Sequence, residues 1–315
     1  MHKPPLIIIG GATGVGKTSL SLKLAAEING EIISADSMQV YRGFDIGTAK
    51  IKEQEKEGIP HHLIDILNAD EPFSVFEFQK YTKAAIADIY SRGRIPIIVG
   101  GTGFYIQAVL NDIDFSLEDS DPERISELER LARDKGPEFL HNILADLDPE
   151  AAAAIHPNNV KKVIRAITFY EENGRKISEH NKEESQKTSP YNFAYFVLNR
   201  ERQTIYERIN TRVDKMMEEG LEAEVRGLLN QGISRELQSM QGLGYKEIAA
   251  YIFGETDLEG AVEQLKTGTR HFAKRQLTWF KREPQAIWLN YEDFENENEM
   301  LKEMINIIEK GEINC

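Results

Sequence analysis

Leu6-Ile7-Ile8-Ile9-Gly10-Gly11-Ala12-Thr13-Gly14-Val15-Gly16-Lys17-Thr18 is the stretch that decides the fold. Its four leading apolar residues are typical of a buried strand, and a helical pattern runs from about Lys17 to Ile28. Between them, residues 11–18 match G-x-x-x-x-G-K-[ST], the P-loop, which belongs between a strand and a helix. This context predicts a site for a diphosphate or a triphosphate, and it does not indicate which.

Each position of the P-loop has a physical reason to bind phosphate. Glycines let backbone N–H groups curl around phosphate oxygens, and the helix start adds positive potential. Lys17 supplies a mobile positive charge, and Thr18 offers a hydroxyl to Mg²⁺. The predicted diphosphate-binding residues of the loop are Gly11, Ala12, Thr13, Gly14, Val15, Gly16, Lys17 and Thr18.

Further strands and helices alternate after the P-loop. Glu31–Ala35 indicates a second strand that ends at Asp36, residues 73–91 have helical periodicity, and Ile95–Val99 indicates a third buried strand. Short apolar strands that alternate with helices are typical of a parallel sheet covered by helices. We therefore predict an α/β fold, a P-loop NTPase-like parallel sheet flanked by helices.

The pattern changes at about Asp112. Charged helical segments dominate from there to Pro190, and Phe193–Leu198 then returns to strand character. The predicted domains are a P-loop catalytic core, 1–112 plus 191–315, and an all-helical insertion domain, 113–190. Residues 291–312 are acidic and are predicted to form a peripheral helix.

Composition and charge limit the partners. The chain has 315 residues and one cysteine, Cys315, which excludes a disulfide framework and a cysteine-rich zinc site and fits a reducing cytoplasm. No signal peptide pattern and no apolar run of about 20 residues is present, so we expect a soluble cytoplasmic protein. The net charge of −14 argues against nucleic acid, yet about half of the excess lies in 283–315. Residues 270–282 hold five bases and no acid, and such a local patch determines where a polyanion docks.

The residues that follow two of the predicted strands limit the reactions that the site could catalyse. The strand Ile95–Val99 is followed by Gly100-Gly101-Thr102-Gly103, where an ordinary P-loop NTPase needs an aspartate, so ATP hydrolysis is not expected. Asp36 follows the second strand, beside the P-loop, where open α/β sheets bind ligands. From the residues alone, Asp36 could bind Mg²⁺, hold a substrate amine, accept its proton, or form a turn.

Four further blocks carry a resemblance to a known family. The blocks are Asp36-Ser37-Met38-Gln39-Val40-Tyr41-Arg42-Gly43-Phe44-Asp45-Ile46-Gly47-Thr48-Ala49-Lys50, Gly100-Gly101-Thr102-Gly103-Phe104-Tyr105, Gly244-Tyr245-Lys246-Glu247 and Thr269-Arg270-His271-Phe272-Ala273-Lys274-Arg275-Gln276-Leu277-Thr278-Trp279-Phe280. Together with the P-loop, these blocks resemble the tRNA dimethylallyltransferases in the family's order, over residues 11–280. The resemblance implies that family's fold, a P-loop core with a helical insertion.

The resemblance implies a reaction. The P-loop would hold the diphosphate of dimethylallyl diphosphate rather than ATP, and the prenyl group would pass to N6 of the tRNA adenine beside the anticodon (position 37). Diphosphate and N6-dimethylallyladenosine would be the products. The implied catalytic residues are Asp36, which would act on the N6 amine, and Lys17, Thr18 and Arg212, which would bind the diphosphate. The implied Mg²⁺ ligands are Thr18 and Asp36.

The resemblance also implies contacts with a tRNA anticodon stem-loop, whose target base must leave its stack. Helical spacing in 269–282 puts Arg270, Lys274 and Lys281 on one face, Arg275 and Arg282 beside it, and Phe272 and Trp279 towards the core. The implied tRNA-binding residues are Asp36, Ser37, Met38, Gln39, Thr102, Arg124, Arg165, Gly244, Tyr245, Arg270, Lys274 and Arg275.

The chain departs from the family at Asn159 and Lys162, where relatives often have aspartate and arginine, and at Gln241, where some have arginine. Three other functions stay open: an adenylate isopentenyltransferase that acts on free nucleotides, a P-loop nucleotide kinase, and a P-loop RNA-binding module. The insertion and the bases of 270–282 favour tRNA. We expect a monomer, and we expect His61-His62 to be structural rather than a metal site.

Overall fold

The computed structural model describes residues 3–115 and 121–311. Its centre is a six-stranded sheet in the order β3-β2-β4-β1-β5-β6, in which every neighbouring pair is parallel. The predicted P-loop-like parallel sheet is confirmed. The strands are β1 (Pro5–Gly11), β2 (Gly30–Ala35), β3 (His61–His62), β4 (Ile95–Gly100), β5 (Asn192–Asn199) and β6 (Ile287–Asn290).

Helices connect and cover these strands. None of those in the described residues is long and apolar enough to cross a membrane. The helices are α1 (Lys17–Glu27), α2 (Val75–Ser91), α3 (Gly103–Leu110), α4 (Pro122–Lys135), α5 (Pro137–Leu147), α6 (Pro149–Ala154), α7 (Val160–Asn173), α8 (Ile177–Gln186), α9 (Arg202–Glu218), α10 (Leu221–Asn230), α11 (Tyr245–Ile252), α12 (Leu258–Phe280) and α13 (Glu297–Lys310).

The chain divides into two compact units. The first contains the described residues of Met1–Val109 and Tyr191–Cys315, and the second is Leu110–Pro190. The second unit holds α4 to α8 around its own apolar cluster, which includes Leu140 and Val163. The divisions after 109 and 190 lie close to the predicted domain borders, after 112 and 190.

The helix predicted to be peripheral belongs to the core of the first unit. Met300, Leu301, Met304 and Ile308 of α13 are buried in the same cluster as Leu20 of α1. These apolar residues recur on one helical face, while the acids occupy the other, and the acidic composition hid this amphipathic pattern. The prediction of a peripheral helix was wrong for this reason.

The parallel sheet gathers functional residues at one edge. Parallel strands all end on the same side, which is where open α/β sheets bind ligands. The P-loop follows β1, Asp36 follows β2, and Gly101 follows β4. Arg200 follows β5, and Tyr291 follows β6. These strand ends therefore meet at the candidate site, as does the end of β3, since Ile64 lines the same cavity.

Candidate active site

The P-loop depends on glycine for its shape. Gly14 and Gly16 have φ angles of +80° and +115°, a left-handed region that other residues rarely adopt. A Cβ on Gly16 would lie 2.6 Å from the hydroxyl of Tyr291, so space is limiting as well. Gly16 directly precedes α1, and the loop therefore delivers its N–H groups to a helix start, as an anion site requires.

Lys17 folds back over the loop. Its Nζ donates to the carbonyls of Gly11 at 2.8 Å and Ala12 at 2.9 Å. Burial, followed by the positive charge of Arg212, lowers the pKa of Lys17 to about 7, while Asp36 acts in the opposite direction. A bound anion would restore the positive charge, so the lysine is poised to respond to a phosphate.

Helix α9 brings two arginines to the P-loop. Arg208 Nε donates to the carbonyl of Gly14 at 2.7 Å, and Arg212 Nη1 donates to Thr13 Oγ1 at 3.2 Å. Burial lowers the pKa of Arg212 below its usual value, again against the effect of Asp36. Sequence reasoning found Arg212 and missed Arg208, although a spacing of four residues places both on one helical face.

Gln276 is a further site residue that sequence reasoning missed. Its Oε1 accepts from the N–H of Thr13 at 2.9 Å, and its Nε2 donates to the carbonyl of Gly101 at 3.1 Å. The side chain is 7% exposed and ties the P-loop to the loop that follows β4. The sequence prediction for this helix covered its bases and the aromatic residues Phe272 and Trp279, and it assigned no role to Gln276. The signal that could have found Gln276 is its spacing of four residues from Phe272, on the inward face.

Asp36 uses one carboxylate oxygen to form a turn and leaves the other oxygen available to a substrate. Its Oδ1 accepts from the N–H groups of Met38 at 2.8 Å and Gln39 at 3.4 Å. Its Oδ2 has no hydrogen-bond partner in the described part of the chain, and the side chain is half-buried. The turn fixes the carboxylate, so the structural and the chemical interpretations of Asp36 are compatible.

The segment after Asp36 is held from within the protein. Ser34 Oγ donates to Gln39 Oε1 at 2.9 Å, and Gln39 Nε2 donates to the carbonyl of Thr48 at 3.2 Å. The Gln39 side chain therefore shapes this wall of the site. Thr102, at the start of the loop after β4, donates its N–H to the carbonyl of Ala35 at 3.4 Å and lies beside the same strand end.

Tyr245 has a supporting place rather than a surface one. Its side chain is fully buried, so it presents no surface to a tRNA, contrary to the sequence prediction. Its hydroxyl donates to Glu224 at 2.6 Å, and its ring lies 4.7 Å from that of Phe44. A Cβ on Gly47 would approach this ring to 2.6 Å. Tyr245 thus fixes the 44–47 turn of the segment that carries Asp36.

One cavity of about 640 Å³ joins these groups. The side chains of Ala12 and Val15 are buried in the core, so these two residues offer only their backbone to a bound phosphate. The other wall of the cavity is apolar, with Ile32, Ile51 and Val99 among its residues. The predicted or newly found site residues that line it are Thr13, Gly14, Gly16, Lys17, Thr18, Asp36, Gln39, Arg208, Arg212 and Gln276.

The donor set suits Mg²⁺. The described residues contain no group of three His, Cys, Asp or Glu side chains arranged to hold a metal. Mg²⁺ commonly takes only one or two protein ligands and completes its shell with water and substrate phosphates. Thr18 and Asp36 both line the cavity, and their hydroxyl and carboxylate groups match that requirement.

A basic groove lies on α12. Lys274, Arg275 and Arg282 line a depression of about 430 Å³ together with Trp279. Arg270 is instead engaged by Asn210 at 2.7 Å and Glu263 at 2.9 Å. Trp279 faces inward, with its ring 5.9 Å from that of Phe104. Phe272 was predicted to face the core, but it lines the cavity of the P-loop.

Two predicted tRNA-binding arginines lie in the second unit. Arg124 pairs with Glu171 through Nε at 2.9 Å and Nη2 at 2.6 Å, and with Glu127 at 2.6 Å. This guanidinium already has carboxylate partners that a phosphate would have to replace. Arg165 lies exposed on α7, as does Lys162.

The two neighbouring histidines have internal partners. His61 lies 2.8 Å from the carbonyl of Ile59, and His62 lies 2.6 Å from the carboxylate of Glu31. Burial would raise the pKa of Glu31, but hydrogen bonds from Arg92 and His62 hold it below its usual value. These contacts support a structural role for the pair.

Comparisons with known proteins are consistent with this geometry. A family model described as IPP transferase matches residues 39–283. A tRNA dimethylallyltransferase of Lachnoclostridium phytofermentans is 57% identical over 309 residues, 98% of this chain and 99% of that protein. One from Bacillus subtilis is 50% identical over 288 residues, 91% of each chain.

Solved structures agree with these sequence relatives. A full-length tRNA isopentenylpyrophosphate transferase from Bacillus halodurans superposes with a TM-score of 0.75 at 44% identity, covering 98% of this chain and 97% of that one. A eukaryotic dimethylallyltransferase acting on tRNA has a TM-score of 0.85 at 30% identity, covering 98% and 80%. The similarity therefore extends over nearly the whole chain.

Proposed function

The chain belongs to the IPP transferase family, and from that premise we propose that it moves a dimethylallyl group from its diphosphate to N6 of the tRNA adenine beside the anticodon. One observation carries the proposal. Asp36, with an uncommitted carboxylate oxygen, lines the same cavity as the phosphate-binding loop. A proton acceptor and a site for a leaving group therefore share one space.

The P-loop end of the cavity would hold the diphosphate. Lys17 and Arg212 would lie against its oxygens, together with the N–H groups of residues 13–18. Mg²⁺, held by Thr18 and Asp36, would neutralise part of the diphosphate charge when bound. Positive groups already in place around a leaving group stabilise the charge that develops in the transition state. The allylic carbon tolerates positive charge, so departure of the diphosphate is the step these residues assist.

Asp36 would serve the other reactant. The bond between the allylic carbon and the diphosphate oxygen breaks, and the electron pair leaves with diphosphate. A new bond forms between that carbon and N6, and the N6 proton passes to Oδ2 of Asp36. An exocyclic adenine amine is a weak nucleophile because its lone pair is delocalised, so a fixed carboxylate acceptor has an evident use.

The site features favour this reaction over ATP chemistry. The strand β4 ends at Gly100, and Gly101 and Thr102 follow where an aspartate of a P-loop NTPase would stand. A P-loop nucleotide kinase is therefore the weaker candidate, and a P-loop RNA-binding module would leave Asp36 without a task. The apolar wall of the cavity also suits a prenyl tail better than a nucleoside.

A tRNA is favoured over a free nucleotide. The relatives that are 50% and 57% identical are named for tRNA. The groove of Lys274, Arg275 and Arg282 provides bases outside the cavity, which a mononucleotide would not need. Contacts from Ser37, Met38, Thr102, Arg165 and Gly244 stay predictions, as do a cytoplasmic location and a monomeric state.

The test offers the purified protein dimethylallyl diphosphate and Mg²⁺ with unmodified tRNA or with AMP, and both products are analysed by mass spectrometry. We expect one prenyl unit on a tRNA adenine and unchanged AMP. Prenylated AMP with unchanged tRNA would overturn the proposed partner. No transfer to either, with ATP consumed when nucleosides are supplied, would replace the proposal with a kinase.

A further inference from the structure

The segment after β6 contacts the P-loop on the side away from the cavity. We call residues 291–297 the C-terminal strap. Tyr291 begins it, and its phenol oxygen lies 3.3 Å from two acceptors, the carbonyl of Gly16 and Oε1 of Glu297. The ring is half-buried, and burial together with the charge of Glu297 raises the pKa of Tyr291 to about 12. The hydroxyl therefore stays protonated, and its single proton is shared between these two acceptors.

Arg200 binds the neighbouring P-loop carbonyl, that of Val15. Its guanidinium carbon lies 3.4 Å from the centre of the Tyr291 ring, a cation–π arrangement. Its Nε donates to the carbonyl of Val15 at 2.9 Å. Two consecutive P-loop carbonyls, at 15 and 16, are thus held by one stacked pair of side chains.

Glu297 ties the strap to the helix that begins in the P-loop. Its Oε2 accepts from Ser19 Oγ and from Lys23 Nζ, both at 2.7 Å, and both donors belong to α1. Behind it, Met300 and Met304 of α13 are fully buried against the core. The strap is therefore anchored at both ends, to the P-loop through Tyr291 and to α1 and the core through Glu297 and α13.

The direction of these carbonyls matters for anion binding. A P-loop holds an anion through N–H groups that point into the site, which requires the intervening carbonyls to point away. The donors behind the loop hold the carbonyls of Val15 and Gly16 in that direction. If they were lost, a peptide could rotate and turn its oxygen towards the diphosphate.

We propose that Tyr291 is a positioning residue that holds the P-loop in its anion-binding conformation, with Arg200 and Glu297 supporting it. The inference rests on the proposed function, since it assigns the loop to a diphosphate. It also adds to that function, because the match to the family model ends at residue 283. The strap lies beyond it.

The test compares Tyr291→Phe with a matched control. Tyr90→Phe removes a similar bond, from a half-buried tyrosine hydroxyl to the carbonyl of Pro5 at 2.7 Å, at the opposite end of β1. Binding of inorganic diphosphate with Mg²⁺ is measured by calorimetry, and the KM values for dimethylallyl diphosphate and tRNA are measured separately. We expect Tyr291→Phe to weaken diphosphate binding about fivefold and to raise the KM for dimethylallyl diphosphate by the same factor. This is the size of effect that the loss of one hydrogen bond gives. The KM for tRNA stays unchanged, and so do both values in Tyr90→Phe.

Two further variants keep the result decisive. Tyr291→Ala and Glu297→Ala should weaken diphosphate binding at least as much, and Tyr291→Phe should fall between them and the native protein because it keeps the ring on Arg200. Equal diphosphate affinity in Tyr291→Phe, Tyr291→Ala and the native protein would overturn the inference while native transfer persists. If the native protein transfers no prenyl group to tRNA, the proposed function fails instead, and the calorimetry still reports on the loop.

Discussion

Replacement of Gln276 by methionine tests how the two central loops are held together. Methionine keeps the length and the packing of the side chain but removes both hydrogen bonds, to Thr13 at 2.9 Å and to Gly101 at 3.1 Å. Each such bond contributes about 1 to 1.5 kcal/mol net when its groups are buried, and the change removes two of them. Since the side chain is only 7% exposed, we expect Gln276→Met to lower the free energy of unfolding by about 2 to 3 kcal/mol.

The same change should reach the site, because the Thr13 backbone begins the phosphate-binding turn. We expect the KM for dimethylallyl diphosphate to rise about tenfold, a loss of roughly 1.4 kcal/mol in binding. Gln79→Met is the matched control: Gln79 is 6% exposed and donates to the carbonyl of Ala108 at 2.8 Å, and neither residue lines the cavity. Urea unfolding and steady-state kinetics measure the two effects. A rise in KM no larger in Gln276→Met than in Gln79→Met would refute the reasoning.

Three other predictions concern separate parts of the site. Asp36→Asn keeps Oδ1 for its turn but loses the proton acceptor, so kcat should fall about 10²- to 10⁴-fold; near-native turnover would exclude proton transfer to Asp36. Burial lowers the pKa of Lys17 to about 7, so at about pH 8 the free lysine is mostly neutral and diphosphate binding should take up a proton, whereas below about pH 6 it is already charged and uptake should vanish. Calorimetry in two buffers of different ionisation enthalpy measures this uptake, and Lys17→Arg should abolish it; the same uptake in both proteins would contradict the assignment. Lys274→Glu with Arg275→Glu should weaken tRNA binding about tenfold or more and flatten its salt dependence without changing diphosphate affinity, and an unchanged salt slope would remove the groove from the tRNA path.

The parts predictable from sequence are those that local patterns determine. Leu6 to Thr18 specify a strand, a turn and the start of a helix within one short window, and Ile95–Val99 is apolar enough to indicate a buried strand without knowledge of its neighbours. The site residues found in this way, Lys17 and Asp36, belong to or directly follow such windows. Arg212 came from family resemblance rather than from a local pattern.

The missed residues act across large separations in sequence. Gln276 bonds to Thr13, and Tyr291 contacts Gly16, in each case more than 250 positions away along the chain. A strand as short as β3, with two residues, also has no periodicity to detect. Such contacts depend on the order of strands in the sheet, which the sequence windows do not contain.

Buried supports were hidden for a related reason. Tyr245 belongs to a block that resembles the family, and that resemblance alone suggested a tRNA contact. Its ring is in fact covered by Phe44 and Gly47, and its hydroxyl is bound to Glu224. A family block can therefore mark a residue that shapes the site from the core as readily as one that contacts the substrate.

The central claim is that one cavity joins a diphosphate on the P-loop to an adenine amine at Asp36. The most direct measurement is a single-turnover reaction of the native protein with dimethylallyl diphosphate, Mg²⁺ and two anticodon stem-loops, one with adenine beside the anticodon and one with hypoxanthine, which has no N6 amine. We expect the adenine loop to gain one prenyl unit on N6 and the hypoxanthine loop to gain none. Prenylation of the hypoxanthine loop, or a prenyl group located elsewhere on the adenine loop, would contradict it.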